Sequence, residues 1–313
     1  MLRFVLFVVL VFPAVAGACD SCGCALTPVD ERSLTTGWRA GVAQQFTLFD
    51  RLQDSGNRVA NDEDQEIKSF LTQVSVGYQL DERDSVQVDF PFLKRRFRRL
   101  VDGNLQQGDV DGLGDITLSG TRVVTLKRHA DSLVIGRVRA GVKLPTGDTG
   151  FLGEQAAALN GTGPDSVVGG HDLTLGTGST DAQLGASFYG RWHRAMLTAT
   201  VLREIRGTGA FDYQFADELQ WEFSPGWYLD YRSSQALAVQ LTVQGLSKST
   251  DTFAGSTPVT DTGVNEVYVG PRLTASGAHL SALVDWQTPV HELNTDLQLV
   301  PRYRTHFSLL WRF

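Results

Sequence analysis

The chain has 313 residues, of which 42% are hydrophobic, 20% charged and 10% aromatic, with a formal net charge of −7. That hydrophobic share excludes a disordered chain, and a mean hydropathy of −0.12 excludes a polytopic helical membrane protein, which needs several apolar runs of about 20 residues. The negative balance supplies no global basic field for a nucleic-acid partner.

At the N-terminus, Arg3 precedes an apolar run from Phe4 to Val15 and then Ala16-Gly17-Ala18. A positive start, a short greasy core and small residues at −3 and −1 describe a secretory signal peptide over residues 1–18. The mature chain then begins with a cysteine-rich periplasmic segment, 19–35. It holds all three cysteines, Cys19, Cys22 and Cys24, so the body is not stapled by disulfides. Three readings stand for this head. Cys19 is acylated, although Ala16 is a poor lipobox residue; or the three thiolates hold a soft metal such as Cu(I) or zinc; or a disulfide or an inert tail sits in the oxidising periplasm. No histidine stands nearby to complete a closed zinc site. No other cofactor is implied.

From residue 36 to 313 the pattern has a period of two. Alternating runs separated by turn chemistry cover 36–50, 66–80, 84–99, 112–127, 131–146, 172–190, 195–206, 212–231, 236–248, 264–275, 279–288 and 297–313. In the last, Leu297, Leu299, Tyr303, Phe307, Leu309, Trp311 and Phe313 share one face, while Gln298, Arg302, Arg304, His306, Ser308 and Arg312 share the other. Short connections alternate with long ones over 51–65, 100–111, 147–171, 207–211, 249–263 and 289–296. The expected fold class is all-β: a transmembrane antiparallel up-and-down β-barrel of about 12 strands, with short periplasmic turns and long extracellular loops. Hydrocarbon offers no partner to an unpaired peptide group, so a sheet can cross it only when closed. A soluble sandwich is the competing reading, but the runs are longer than its usual strands. Aromatics such as Trp38, Phe92, Phe188, Trp227 and Trp286 also sit near run ends, as interfacial girdles do. Parity points Arg122 and Arg203 toward lipid, which requires an interfacial position or a bulge.

The signal peptide, the alternation and the terminal Trp311-Arg312-Phe313 resemble bacterial outer-membrane proteins. In those proteins a C-terminal aromatic, here Phe313, is the assembly signal read by the barrel-assembly machinery. More narrowly, Gly112-Leu113-Gly114-Asp115-Ile116-Thr117-Leu118, Lys143-Leu144-Pro145-Thr146-Gly147-Asp148 and Leu175-Gly176-Thr177-Gly178-Ser179-Thr180-Asp181 are similar to the phenol-degradation MetA-pathway family of transporter-like barrels. The resemblance implies the outer membrane of a Gram-negative bacterium and a channel for small solutes, including hydrophobic or aromatic ones. The cysteine head is not part of that shared pattern.

Read from the residues, Gly112 and Gly114 permit a tight turn into a strand, Pro145-Thr146-Gly147 ends one, and the glycines at 176 and 178 relieve crowding on a curved wall. Parity places Arg39, Asp89, Asp115, Arg137, Arg139, Lys143, Asp181, Glu266, Arg272, Asp285, Arg302 and Arg304 on the lumen. Arg137 and Arg139 then lie between strands bearing Asp115 and Asp181, and Asp285 lies near Arg272, Arg302 and Arg304. Either these charges neutralise one another and brace a wet interior, or they form a polar path that orients an anionic or dipolar solute. Connection 147–171 either folds inward as a constriction or stays on the surface. Lys94, Arg95, Arg96, Arg98 and Arg99 form a basic cluster suited to lipopolysaccharide phosphates at the rim. Asp109, Asp111 and Asp115 lack the glutamate of a calcium loop. The six histidines form no metal or nucleophile pattern, so no enzyme is expected. The alternative to a channel is an outer-membrane scaffold whose cysteine head binds metal or a redox partner.

Overall fold

The computed structural model describes residues 34–313 apart from positions 165 and 233, so the signal peptide and Cys19, Cys22 and Cys24 lie outside the described residues. Twelve long strands follow in order: β1 (Gly37–Asp54), β2 (Glu66–Gln79), β3 (Asp84–Val101), β4 (Thr117–Arg128), β5 (Ser132–Lys143), β6 (Asp181–Trp192), β7 (Ala195–Ile205), β8 (Glu218–Tyr231), β9 (Gln235–Lys248), β10 (Val264–Gly277), β11 (Leu280–Asn294) and β12 (Leu297–Arg312). Each pairs antiparallel with its neighbours in sequence. β12 pairs back onto β1 from Arg39↔Arg312 to Asp54↔Leu297, so the sheet closes. Among the described residues no helix is long and apolar enough to cross a membrane. The strands cross instead.

The two faces are inverted relative to a soluble sandwich. Leu118, Leu184 and Leu241 are each more than half exposed, while Gln73, Ser119, Gln183 and Thr242 are buried. Outward leucines are solvated by lipid tails, and the inward amides and hydroxyls satisfy one another or water. Trp38, Trp192 and Trp227 are exposed toward strand ends, where an amphipathic ring suits the interface; Trp286, expected there too, is exposed at the middle of β11, because that strand runs on to Asn294. Arg122 and Arg203 do point outward, and each meets a carboxylate near a strand end: Asp84 at 3.6 Å and Asp217 at 2.7 Å.

The connections depart from the sequence reading in several places, among them the eighth strand, expected from 212 but starting at Glu218 because Tyr213–Gln214 joins a small separate sheet with Asp251–Phe253 and Thr257–Val259. Asn104–Leu113, expected as loop to 111 and as the start of the fourth strand from 112, is a separate strand that extends the sheet along β3, and β4 begins only at Thr117. Gln106, Gln107, Asp109 and Asp111 of the separate strand present no greasy face, so alternation does not reveal it. Residues 172–180, expected as the start of the sixth strand, belong to a returning arm that includes the short helix α2 (Gly170–Leu173). The last outer connection is only 295–296, because β11 runs on to Asn294 with Val290 and Leu293 still facing outward.

One register shift moves a predicted lumen residue. Along the β1–β12 seam the pairs run Leu48↔Tyr303, Phe49↔Pro301 and Arg51↔Val300, so Asp50 and Arg302 are both skipped. A bulged residue leaves the ladder and re-aims its side chain. Arg302 is therefore exposed on the outside and pairs with Asp50, Nε to Oδ1, at 2.9 Å. Parity reverses above the bulge, and Leu299, expected to face lipid, turns inward with Leu52.

Candidate functional site

All twelve strands contribute side chains to one central cavity of about 210 Å³. Its periplasmic end is apolar. Val123, Leu133, Ile135, Tyr189, Met196, Tyr228, Ala236 and Ala238 point inward from β4–β9 and pack with Leu34, which precedes β1. The Tyr189 and Tyr228 hydroxyls meet at 2.7 Å, so each buried ring keeps a polar partner. Sequence reasoning assigned a polar lumen throughout and missed this cluster. The available signal was Leu133-Val134-Ile135, where both parities are apolar.

Above the apolar end lies a belt of buried charge. Lys143 reaches Asp181 at 2.7 Å, Glu204 at 2.9 Å and Asp115 at 3.7 Å. Arg206 pairs with Glu218 at 2.9 Å, and Lys248 with Asp251 at 2.6 Å. On the opposite wall Arg272 grips Glu222 with both Nη atoms, at 2.6 and 2.7 Å, and Asp285 through Nε at 2.9 Å. Asp285 also meets His306 Nδ1 at 2.6 Å, while His306 Nε2 contacts Gln45 at 2.8 Å. Both ring nitrogens are thus engaged, and among the described residues no hydroxyl is hydrogen-bonded to His306. Arg304 bonds Gln287 and lies 3.5 Å over the Tyr268 ring. Asp89 meets Arg139 at 3.2 Å. The structure places Arg39, Asp89, Asp115, Arg137, Arg139, Lys143, Asp181, Arg272, Asp285 and Arg304 at buried or cavity-lining positions, with partners that parity does not reveal. Lys143, rather than Arg137 or Arg139, joins Asp115 to Asp181.

The connection between β5 and β6 folds inward. It carries α1 (Gly150–Leu159) and α2, and it buries Leu152, Val168, Leu173 and Leu175. Val168 and Leu173 pack on Leu52, Ile67, Phe97 and Leu299 from four strands around the seam. Leu152 packs on Tyr213, Phe215 and Val259, which follow β7 and β9. Tyr213 donates its hydroxyl to Asp251 at 2.8 Å; burial, reinforced by that carboxylate, lifts its pKa well above the usual phenol range, so it stays a donor. Two members of the basic cluster hold this segment. Arg95 donates to the Thr174 carbonyl at 2.5 Å, and Arg99 to the Val168 carbonyl at 3.1 Å and to Glu154 at 2.6 Å. Only Lys94, Arg96 and Arg98 remain outside, facing Asp109, Asp111 and Asp64. The five basic residues are therefore not one rim patch.

The three glycine motifs meet at the base of the inserted segment. Asp115 accepts from the Gly147 amide at 3.0 Å and from the Thr177 amide and hydroxyl, each at 2.9 Å. Thr146 Oγ1 donates to the Gly114 carbonyl at 2.8 Å. A Cβ on Gly147 would stand 2.7 Å from the Gly176 Cα, and one on Gly176 2.7 Å from the Asp115 carboxylate. Close approach of two backbones, rather than curvature of the wall, requires these glycines. The motifs form a clip that fixes both ends of the insert to the wall. Asp109 and Asp111 point outward, away from Asp115, and among the described residues no cluster of His, Cys, Asp and Glu is arranged to hold a metal.

No family model matches the sequence, and no curated protein matches it either. The structure is similar to that of the COG4313 outer membrane channel from Pseudomonas putida F1, at a TM-score of 0.60 and 17% identity, over 92% of this chain and 100% of that one. Weaker likenesses are to the transport unit of the autotransporter AIDA-I from Escherichia coli, at a TM-score of 0.46 and 8% identity over 92% and 94% of the two chains, and to the CymD monoaromatic hydrocarbon channel, at 0.38 and 8% over 90% of each. The fold is that of an outer-membrane β-barrel.

Proposed function

We propose that the protein is a gated outer-membrane channel for small solutes with hydrophobic or aromatic bodies. The observation that carries this reading is the central cavity, which is wet and charged on its walls, apolar at its periplasmic end, and covered on the outer side by the clipped segment between β5 and β6. A barrel that served only as an anchor has no need of a shaped interior. Among the described residues His306, the histidine inside the barrel wall, is engaged by Asp285 and Gln45 rather than by a hydroxyl, which supports a non-catalytic reading. Planar-bilayer conductance of the refolded protein tests it: discrete openings that increase when Gly150–Leu173 is replaced by a short Gly/Ser linker support a gated channel. A barrel sealed with and without the insert overturns it.

Further parts of the proposal concern partners. The outward leucines and tryptophans suit lipid, and Lys94, Arg96 and Arg98 are the residues left to meet lipopolysaccharide. Phe313 is exposed at the end of the seam strand, its amide donating to the Trp38 carbonyl, a position open to the barrel-assembly machinery. Soft-metal binding by Cys19, Cys22 and Cys24 is a separate proposal; metal analysis of the exported protein beside Cys22→Ser tests it.

A further inference from the structure

The cavity is lopsided in charge. Arg39, Arg83, Arg137, Arg139 and Arg272 line it against one acid, Glu222. Arg272 is answered by Glu222 and Asp285, and Arg139 by Asp89. Arg39 is different. Its Nε is buried without a hydrogen-bond partner, and among the described residues it forms no ion pair. It also lies in the fields of two further cations, Arg312 and Arg139, offset in part by Asp89, whose carboxylate is itself paired with Arg139.

Local structure holds the guanidinium there. Arg39 stands opposite Gly77 in the β1–β2 register, and a Cβ on Gly77 would come 3.0 Å from its Nε. The glycine clears the space that the arginine occupies. Across the same cavity the wall carries apolar side chains, Val123, Met196, Leu202 and Tyr228, from β4, β7 and β8. A guanidinium with no acid hydrogen-bonded to it, facing an apolar wall, is complementary to a molecule with an anionic head and a greasy body. A cavity of about 150 Å³ accommodates benzene, so the space here takes a singly substituted ring.

We propose that Arg39 is the anion-binding residue of a subsite inside the barrel, and that the preferred solute is a small aromatic or short-chain monoanion, a carboxylate or sulfonate on an apolar body. This inference rests on the channel reading and names the substrate class of the same cavity. The head group bonds to the guanidinium, and the body lies against the Met196 and Tyr228 side. A neutral analogue forfeits the charge-assisted bond, and a cationic one is repelled.

Two lipid-impermeant probes of one size test the subsite: benzenesulfonate and benzyltrimethylammonium, in proteoliposomes holding the full chain. The wild type is expected to pass the sulfonate at least tenfold faster. Arg39→Gln lowers that ratio by roughly tenfold, equivalent to about 1.4 kcal/mol, and Arg39→Lys retains most of it. Heat-modifiable migration confirms that each variant is folded, and the wild-type ratio stands as a test without any variant. Equal wild-type rates, or a ratio unmoved in Arg39→Gln, overturn the proposal. If the barrel passes neither probe, the channel reading fails, and equilibrium dialysis in non-ionic detergent decides the subsite alone. Saturable benzenesulfonate binding that is lost in Arg39→Gln supports it, and absence of saturable binding overturns it.

Discussion

Lys143 carries one positive charge into a setting of three carboxylates, and its own side chain is 5% exposed. Removing one partner of a buried ionic cluster leaves the others desolvated and unanswered, at a cost of about 3–5 kcal/mol. Lys143→Met is therefore expected to lower the unfolding midpoint of the detergent-folded barrel strongly, as followed by heat-modifiable migration in a urea series. Arg302 makes the opposite case. Its ion pair with Asp50 is largely exposed, and such pairs contribute under about 1 kcal/mol. Arg302→Ala should leave the same midpoint nearly unchanged, and a large loss there would mean that the bulged arginine reaches the interior after all. Parity shows which face a charge occupies, but partners are set by stagger between strands. Asp89 on β3 meets Arg139 on β5, two strands away, and nothing in either run of sequence encodes that reach.

At the scale of the element, the inserted segment is held by few groups, and each can be weakened separately. Arg99 contributes charge-assisted bonds to the Val168 carbonyl and Glu154, so Arg99→Ala should loosen the insert by about 2 kcal/mol and raise the open fraction of single channels at neutral pH. Asp172 adds a pH dependence. Loss of surrounding water pushes its carboxyl above the ordinary range, against the pull of His171 and Arg95 and with Asp261 adding to the rise. A raised value means that the docked state prefers the proton. Docking is therefore fully favoured below the ordinary carboxylate range and weakens as pH rises through the raised value. Conductance should increase from acid toward neutral pH, and Asp172→Asn should flatten that rise. Repeating the series in a His171→Gln background separates the carboxylate from its neighbour. A rise that persists unaltered in Asp172→Asn would falsify the assignment. The insert also shows why sequence alone misplaced 172–180. Leu173, Thr174, Leu175 and Gly176 alternate as a strand does, yet here the leucines are buried by docking on Phe97 and Leu93 rather than by a sheet. The glycine motifs were legible as motifs, whereas their convergence on Asp115 joins segments more than sixty positions apart in the chain, which no local pattern records.

For the whole molecule, closure is the property on which the rest depends. The twelve runs were countable because lipid outside and water inside impose opposite chemistry on alternate residues along every stave. The apolar periplasmic end escaped that logic because there both faces are greasy. Closure itself is a contact between the first and last strands, with Val42 opposite Leu309. Residues directly opposite in an antiparallel pair have Cα atoms about 4.5–5.5 Å apart, within the range that a disulfide spans. In a chain with Cys19, Cys22 and Cys24 changed to serine, Val42→Cys with Leu309→Cys should cross-link under mild oxidation. The product should run as an altered monomer on denaturing gels, reverting with reductant. Val42→Cys with Leu241→Cys, on the far wall, should not cross-link. An open sheet would present β1 and β12 as two unpaired edges, which invite pairing between copies. It would give disulfide-linked dimers in place of the internal bridge, and with that outcome the cavity, its cover and the Arg39 subsite would lose their enclosing wall.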